Sequence, residues 1–138
     1  MSTASLSPAL ASLYVALGGG IGAVGRYQAG RLVTHMAPHG ATFPWPTLAV
    51  NVIGSLAMGL LFGWLARASV GAQTGETLRL LVGVGLLGGF TTFSAFSAEM
   101  VTMMHRAAYL PALAYVGVSV IAGMAAFIIG LVMGQSSS

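Results

Sequence analysis

From Gly88 to Ser97 the chain reads Gly-Gly-Phe-Thr-Thr-Phe-Ser-Ala-Phe-Ser, a run that sets aromatic rings and hydroxyls beside a glycine pair. Phe93 and Phe96 are three apart, as are Ser94 and Ser97, so on a helix the rings form one stripe and the hydroxyls the stripe beside it. Ring edges carry partial positive charge, and hydroxyls donate hydrogen bonds. With Thr92 at the head of the run, these groups can hold a small anion loosely without any fixed cation. Core packing of two Phe is the ordinary alternative, and it leaves the polar neighbours unexplained. A helix interrupted between Gly88 and Thr91 also frees backbone carbonyls, which in a membrane suit a desolvated cation such as Na⁺. Two antiparallel protomers meeting there would present carbonyls to one central ion.

Other polar residues stand in apolar surroundings. Asn51, in Leu48-Ala-Val-Asn51-Val-Ile-Gly54-Ser55, is the only Asn in the chain. A buried amide must find partners, either as glue between helices or as a donor along an ion path. Glu99 lies two turns beyond Phe93. An intramembrane acid is by default a functional group, its plainer reading being a helix-end residue paired with an Arg or facing headgroups. Arg26 either snorkels to the interface or draws anions into a vestibule. Tyr115 and Ser119, four apart, share one helix face and extend a polar track.

These residues need elements that hold them at membrane depth. The 138 residues are 57% hydrophobic and 5% charged, against roughly 25% charged in an average soluble domain. Such a chain belongs in a bilayer. About 20 apolar residues cross the hydrocarbon core, and four stretches qualify: about 10–33, 46–66, 77–105 and 110–134. Phe43-Pro44-Trp45-Pro46 opens the second, since proline stops a preceding helix and Trp suits the interface. The third reads as apolar and regular from Thr77 to Leu87, broken over 88–92 near the midplane, and helical again from Phe93. Lipid offers the backbone no water, so a break at that depth requires protein or an aqueous path to satisfy the freed groups. Gly18 with Gly22, Gly59 with Gly63, Gly85 with Gly89 and Gly130 with Gly134 each fit small-xxx-small helix packing. The expected fold is an all-α membrane protein of one domain, with four transmembrane helices and the third broken.

Several function classes fall away. Gly20-Ile-Gly22-Ala-Val-Gly25 matches the dinucleotide fingerprint by letters, but the motif needs a preceding strand and an acid roughly 20 residues on, and the next acid is Glu76. His35 and His39 flank Pro38 with no acid close by, so two incidental loop residues are preferred to a metal site. There is no Cys, hence no disulfide framework. Five dispersed Arg form no patch for nucleic acid. No nucleophile motif supports an enzyme. Met1 to Ala11 lacks the positive n-region of a cleaved leader. If the first span begins on side X, then Arg67, Glu76 and Arg79 flank X, while Arg31, Arg106 and the deeper Arg26 lie toward side Y. The Arg count is nearly balanced, the positive-inside rule sets no strong orientation, and an antiparallel homodimer is compatible with the sequence.

At these residues the chain resembles the CrcB/Fluc family of fluoride channels. The elements are Gly-x-Gly-Ala-x-x-Arg-Tyr at Gly20 to Tyr27, Thr-Leu-x-Val-Asn-x-x-Gly at Thr47 to Gly54, and Gly-Gly-Phe-Thr-Thr-Phe-Ser-x-Phe-Ser-x-Glu at Gly88 to Glu99. The resemblance covers nearly the whole length. It implies a multi-pass protein of the prokaryotic inner membrane, an antiparallel, dual-topology homodimer, two fluoride pathways that export cytoplasmic fluoride, and a central structural Na⁺. By the same resemblance Phe93 and Phe96 are the paired pore aromatics and Asn51 an amide donor. Ser94 and Ser97 lie beside them, Glu99 toward one mouth, and Tyr115 with Ser119 along the fourth helix. The backbone carbonyls of Gly88 and Thr91 hold Na⁺. Fluoride as the ion comes from this likeness alone. Two positions depart from the family pattern: Ala95 stands where many relatives carry a hydroxyl, and Gly123 follows Ser119 where the polar track would continue. A small dual-topology multidrug exporter shares the size and balanced charge but needs a carboxylate in its first span, which this chain lacks. A non-transporting membrane subunit would leave the break and Asn51 without purpose.

Overall fold

A computed structural model describes residues 6–136. The first five residues of the leader reading and the last two of the serine tail lie outside them. Helix α1 runs over Pro8–Met36, started by the Ser7 hydroxyl, which accepts from the Leu10 N–H, with Pro8 in the first turn. A side-chain oxygen at the cap satisfies a donor that has no partner within the helix, and proline there loses nothing. Helix α2, Trp45–Arg67, follows Pro44 and carries Pro46 in its first turn. The third span, Ala72–His105, comprises helix α3 (Ala72–Leu78), a π-helical stretch (Arg79–Leu87), one helical turn α4 (Gly88–Phe90) and helix α5 (Phe93–His105). Helix α6 runs over Tyr109–Ser136. The described residues are all-helical, and four spans are long and apolar enough to cross a membrane. Leu13, Ile21, Leu113 and Ile121 stand exposed on α1 and α6, as lipid-facing side chains do in a multi-pass membrane protein.

The third span differs from the sequence expectation twice. Its break is shorter than 88–92: Gly88 to Phe90 stay helical, and only Thr91 (φ −82°, ψ 160°) is extended with Thr92 (φ −151°, ψ 119°). The reason is local. The Thr91 N–H still donates to the Leu87 carbonyl at 3.0 Å, which keeps the coil intact up to Phe90. The stretch from Arg79 to Leu87 is also not a regular α-helix; its coil is widened, and the Gly88 N–H donates to both the Gly83 and Gly85 carbonyls. Glycines at 83 and 85 have no side chains whose packing a wider coil would disturb.

The glycine pairs of the sequence combine into two backbone-to-backbone contacts. Gly18 and Gly22 of α1 face the third span: a Cβ on Gly18 would overlap the Leu81 carbonyl oxygen, and one on Gly22 the Leu86 oxygen. In return, a Cβ on Gly89 would come within 2.5 Å of the Gly19 oxygen. Gly59 and Gly63 of α2 meet Gly130 and Gly134 of α6, where added Cβ atoms would overlap the carbonyls of Phe127, Leu131, Leu56 and Leu60. Lipid provides no hydrophobic drive between helices, so close backbone approach of this kind supplies the packing energy.

The turn between α5 and α6 holds one strained residue. Ala107 has φ 55°, and its N–H donates to the Met104 carbonyl while the Ala108 N–H donates to the Met103 carbonyl, both at 2.9 Å. This is a Schellman closure with alanine where glycine is favoured. Left-handed backbone costs an alanine about 1 kcal/mol, so Ala107→Gly is expected to stabilise the protein by nearly that amount. A raised thermal unfolding midpoint in detergent checks it.

Candidate functional site

The break is held open by one face of α2. Thr47, Asn51 and Gly54 recur at helical intervals, and each engages the third span. The Asn51 side chain accepts from the Thr92 N–H through Oδ1 at 2.8 Å and donates from Nδ2 to the Thr92 carbonyl at 3.1 Å. Both backbone groups that a helix would have used are thus taken by a single amide. Gly54 makes room for Thr91, whose Cγ2 a Cβ there would overlap. On the far side of the break, the Thr92 hydroxyl starts α5 by accepting from the Ala95 N–H at 3.2 Å and lies 3.3 Å from the Ser94 hydroxyl. These substitutions release two carbonyls. In a continuous helix the Thr92 N–H would bond the Gly88 oxygen and the Ala95 N–H the Thr91 oxygen; both donors are committed elsewhere.

One turn nearer the start of α2, Thr47 is buried and donates to Glu99 Oε1 at 2.6 Å. Glu99 Oε2 accepts from the Tyr115 hydroxyl at 2.7 Å. The carboxylate is therefore clasped by two hydroxyls rather than paired with an Arg. Tyr115 is fully buried, its ring 5.4 Å edge-on from Phe43 and 5.1 Å from Phe96. Phe96 in turn lies 5.8 Å from Phe93. A row of aromatic rings thus runs from Trp45, 4.6 Å from Phe43, to the break.

Beside that row lies a cavity of about 370 Å³, lined by Asn51, Ser55, Thr91, Thr92, Phe93, Phe96, Ser119 and Gly123 among others. The Ser119 hydroxyl oxygen is buried and has no hydrogen-bond partner among the described residues. The gap left at Gly123 has the Ser55 hydroxyl nearby, so α2 supplies a hydroxyl where the track on α6 stops. A second cavity, about 420 Å³, is lined by Arg26, Arg31 and His35 with Thr47 and Thr92. The structure so brings Asn51, Thr92, Phe93, Phe96 and Ser119 round one space. It places Arg26 at the neighbouring one and sets Glu99 and Tyr115 in a hydrogen-bonded group between α2, α5 and α6. Ser94 stands at the break, and Ser97 donates to the Phe93 carbonyl at 3.0 Å; neither lines the smaller cavity. Thr47 and Phe43 join the site without any signal in the motif reading of their roles. The helical interval from Thr47 to Asn51 is the clue that would have placed the first.

The donors at the smaller cavity are an amide, hydroxyls and ring edges, with no charged side chain among its lining residues. Such a set offers hydrogen bonds and partially positive ring edges without the tight grip of a buried Arg. The family described as CrcB-like protein, Camphor Resistance (CrcB), matches residues 13–131. A protein of Novosphingobium aromaticivorans named "Fluoride-specific ion channel FluC" is 54% identical over 121 residues, covering 88% of this chain and 93% of that protein. One of the same name from Erythrobacter litoralis is 51% identical over 135 residues, 96% of each chain. A third, from Mesorhizobium japonicum, is 42% identical over 124 residues, 90% of this chain and 95% of its own. With the broken third span, the Asn51 clasp and these matches together, the chain belongs to the CrcB family of bacterial multi-pass membrane proteins.

Proposed function

We propose that this protein is a passive fluoride-selective channel that exports cytoplasmic fluoride, working as an antiparallel homodimer with two pores and a structural Na⁺ at its centre. The observation that carries the anion path is the buried, unpartnered Ser119 hydroxyl at the cavity shared with Asn51, Phe93 and Phe96. A buried hydroxyl without a partner is costly, and an anion passing that point would accept a hydrogen bond from it. Fluoride is small and strongly hydrated, so its path must replace water with donors yet release the ion again. Neutral donors and ring edges meet both demands. The relatives' shared name supplies the ion.

Two features support the dimer and the cation. Phe93 lines the cavity yet is 79% exposed, which leaves most of its ring free to meet a second copy. The carbonyls of Gly88 and Thr91, deprived of their helical donors, need partners in a medium without water, and their oxygens fit a hard cation such as Na⁺. Bound between two protomers, Na⁺ would supply the positive charge that those dipoles lack. On this reading Arg26 draws anions toward the larger cavity, Ser94 and Ser97 flank the rings, and Glu99 with Tyr115 shapes the path beyond Phe96.

Purified protein in liposomes, followed with a fluoride electrode, tests the reading. Fast passive fluoride release in an ionophore-balanced gradient is the expected result. Proton-coupled cation export would replace the channel with an exporter, and no transport of either kind would leave a structural subunit.

A further inference from the structure

We propose that Phe43, in the connection between α1 and α2, is a positioning residue that keeps water from Tyr115 and so holds the Tyr115–Glu99 hydrogen bond. Phe43 belongs to no helix. It lies just before Pro44, where α2 begins, and on one side it lines a cavity of about 310 Å³ with Thr34, Pro38, His39 and Pro46, all at or near the end of α1. On the other side its ring meets Tyr115 edge-to-face at 5.4 Å and an interplanar angle of 79°. Tyr115 is 0% exposed. It is sandwiched between Phe43 and Phe96, in a cluster with Met103 and Ala112.

The consequence follows from hydrogen-bond competition. The 2.7 Å bond from the Tyr115 hydroxyl to Glu99 Oε2 is short, and such a bond is strong only while water is excluded. Deleting the Phe43 ring would join the outer cavity to the space beside Tyr115. Water would then compete for both partners, and Glu99 would keep only its bond from Thr47. Glu99, freed on one side, would no longer be held in a fixed position beside the path. Phe43 thus acts on transport through Tyr115 and Glu99, with its ring touching no part of the cavity that Asn51 and Ser119 line. The transport half of this inference rests on the fluoride path proposed above.

The test uses the full chain, purified in detergent and in bilayers. Phe43→Ala is expected to expose Tyr115 to the water-soluble acylating reagent N-acetylimidazole, read by peptide mass mapping, whereas the unaltered protein and Phe43→Tyr protect it. Unitary fluoride current should fall about tenfold in Phe43→Ala, the order expected for loss of one buried hydrogen bond, and Phe43→Tyr should restore most of it. In a Tyr115→Phe background, Phe43→Ala should lower the current less than twofold further, because the bond through which it acts is already gone. Protection of Tyr115 in Phe43→Ala, or an undiminished tenfold effect on Tyr115→Phe, overturns the proposal. If Phe43→Ala elutes as aggregate, Phe43→Val, which loses most of the ring's bulk, takes its place in every arm. Should the unaltered protein carry no fluoride, the channel reading falls while the acylation result still decides whether Phe43 shields Tyr115.

Discussion

If the protein conducts fluoride as proposed, Phe96→Ile is expected to abolish fluoride flux while leaving the protein folded and in its unaltered oligomeric state. Phe96 is half-buried, 5.1 Å from Tyr115 and 5.8 Å from Phe93, and lines the cavity with Asn51 and Ser119. Isoleucine is apolar and only moderately smaller, so the packing loss is about 1 kcal/mol, small beside the stability of a folded bundle. What isoleucine lacks is a positive ring edge. An ion that has shed water at this point would meet hydrocarbon on one side, and the barrier to passage rises steeply. Fluoride-electrode traces from liposomes carrying the variant, beside its size-exclusion profile, check both halves. Undiminished flux in a well-behaved sample would remove Phe96 from the path and return it to plain packing.

Asn51→Leu is expected to do more damage, because it strikes both the path and the break. The amide satisfies the N–H and the carbonyl of Thr92 at once. Leucine is close in size but offers neither a donor nor an acceptor, so two part-buried backbone groups lose their partners at about 1–3 kcal/mol each. Either the third span rewinds through Thr92, drawing Phe93 and Phe96 out of register with the cavity, or the region loosens. Flux should vanish in both cases, and the thermal midpoint in detergent should drop by several degrees. Asn51→Asp discriminates between the two losses. It keeps an acceptor for the Thr92 N–H but gives up the donor to the Thr92 carbonyl and adds a negative charge, so partial stability without flux is the expected pattern. A variant of either kind that conducts normally would show that the break survives without its clasp.

The existence of a discontinuity in the third span was legible because Gly88-Gly89 and two threonines interrupt an apolar run. Its extent was not. The boundary depends on which backbone groups Asn51 captures, and that residue lies 41 positions away from Thr92 in sequence. The widened coil over Arg79–Leu87 was equally hidden, since Gly83 and Gly85 leave no side chains to reveal a period. Glycine intervals told which faces approach closely, whereas the partners, Gly18 and Gly22 with Gly85 and Gly89, and Gly59 and Gly63 with Gly130 and Gly134, emerge only in three dimensions. Glu99 shows the same limit. An acid in a span calls for a partner, and an Arg is the usual guess, but the partners are hydroxyls of Thr47 and Tyr115 on two other helices. Ala95, a departure from the family pattern, contributes only its backbone N–H to the start of α5, so the absent hydroxyl leaves that helix start intact.

The glycine contacts carry a consequence for biosynthesis. Each tight backbone seam joins helices that are not neighbours in the chain: α1 with the third span, and α2 with α6. A ribosome therefore delivers α2 to the bilayer long before its mate exists. Until Thr92 arrives, Asn51 has no clasp to make, and until α6 arrives, Gly59 and Gly63 face only lipid tails. The nascent second helix must wait without its main partner, kept in place by its long apolar stretch. The α2–α6 seam can close only when α6 leaves the translocon, so truncation anywhere before Gly130 should strand the earlier helices as prey for quality-control proteolysis.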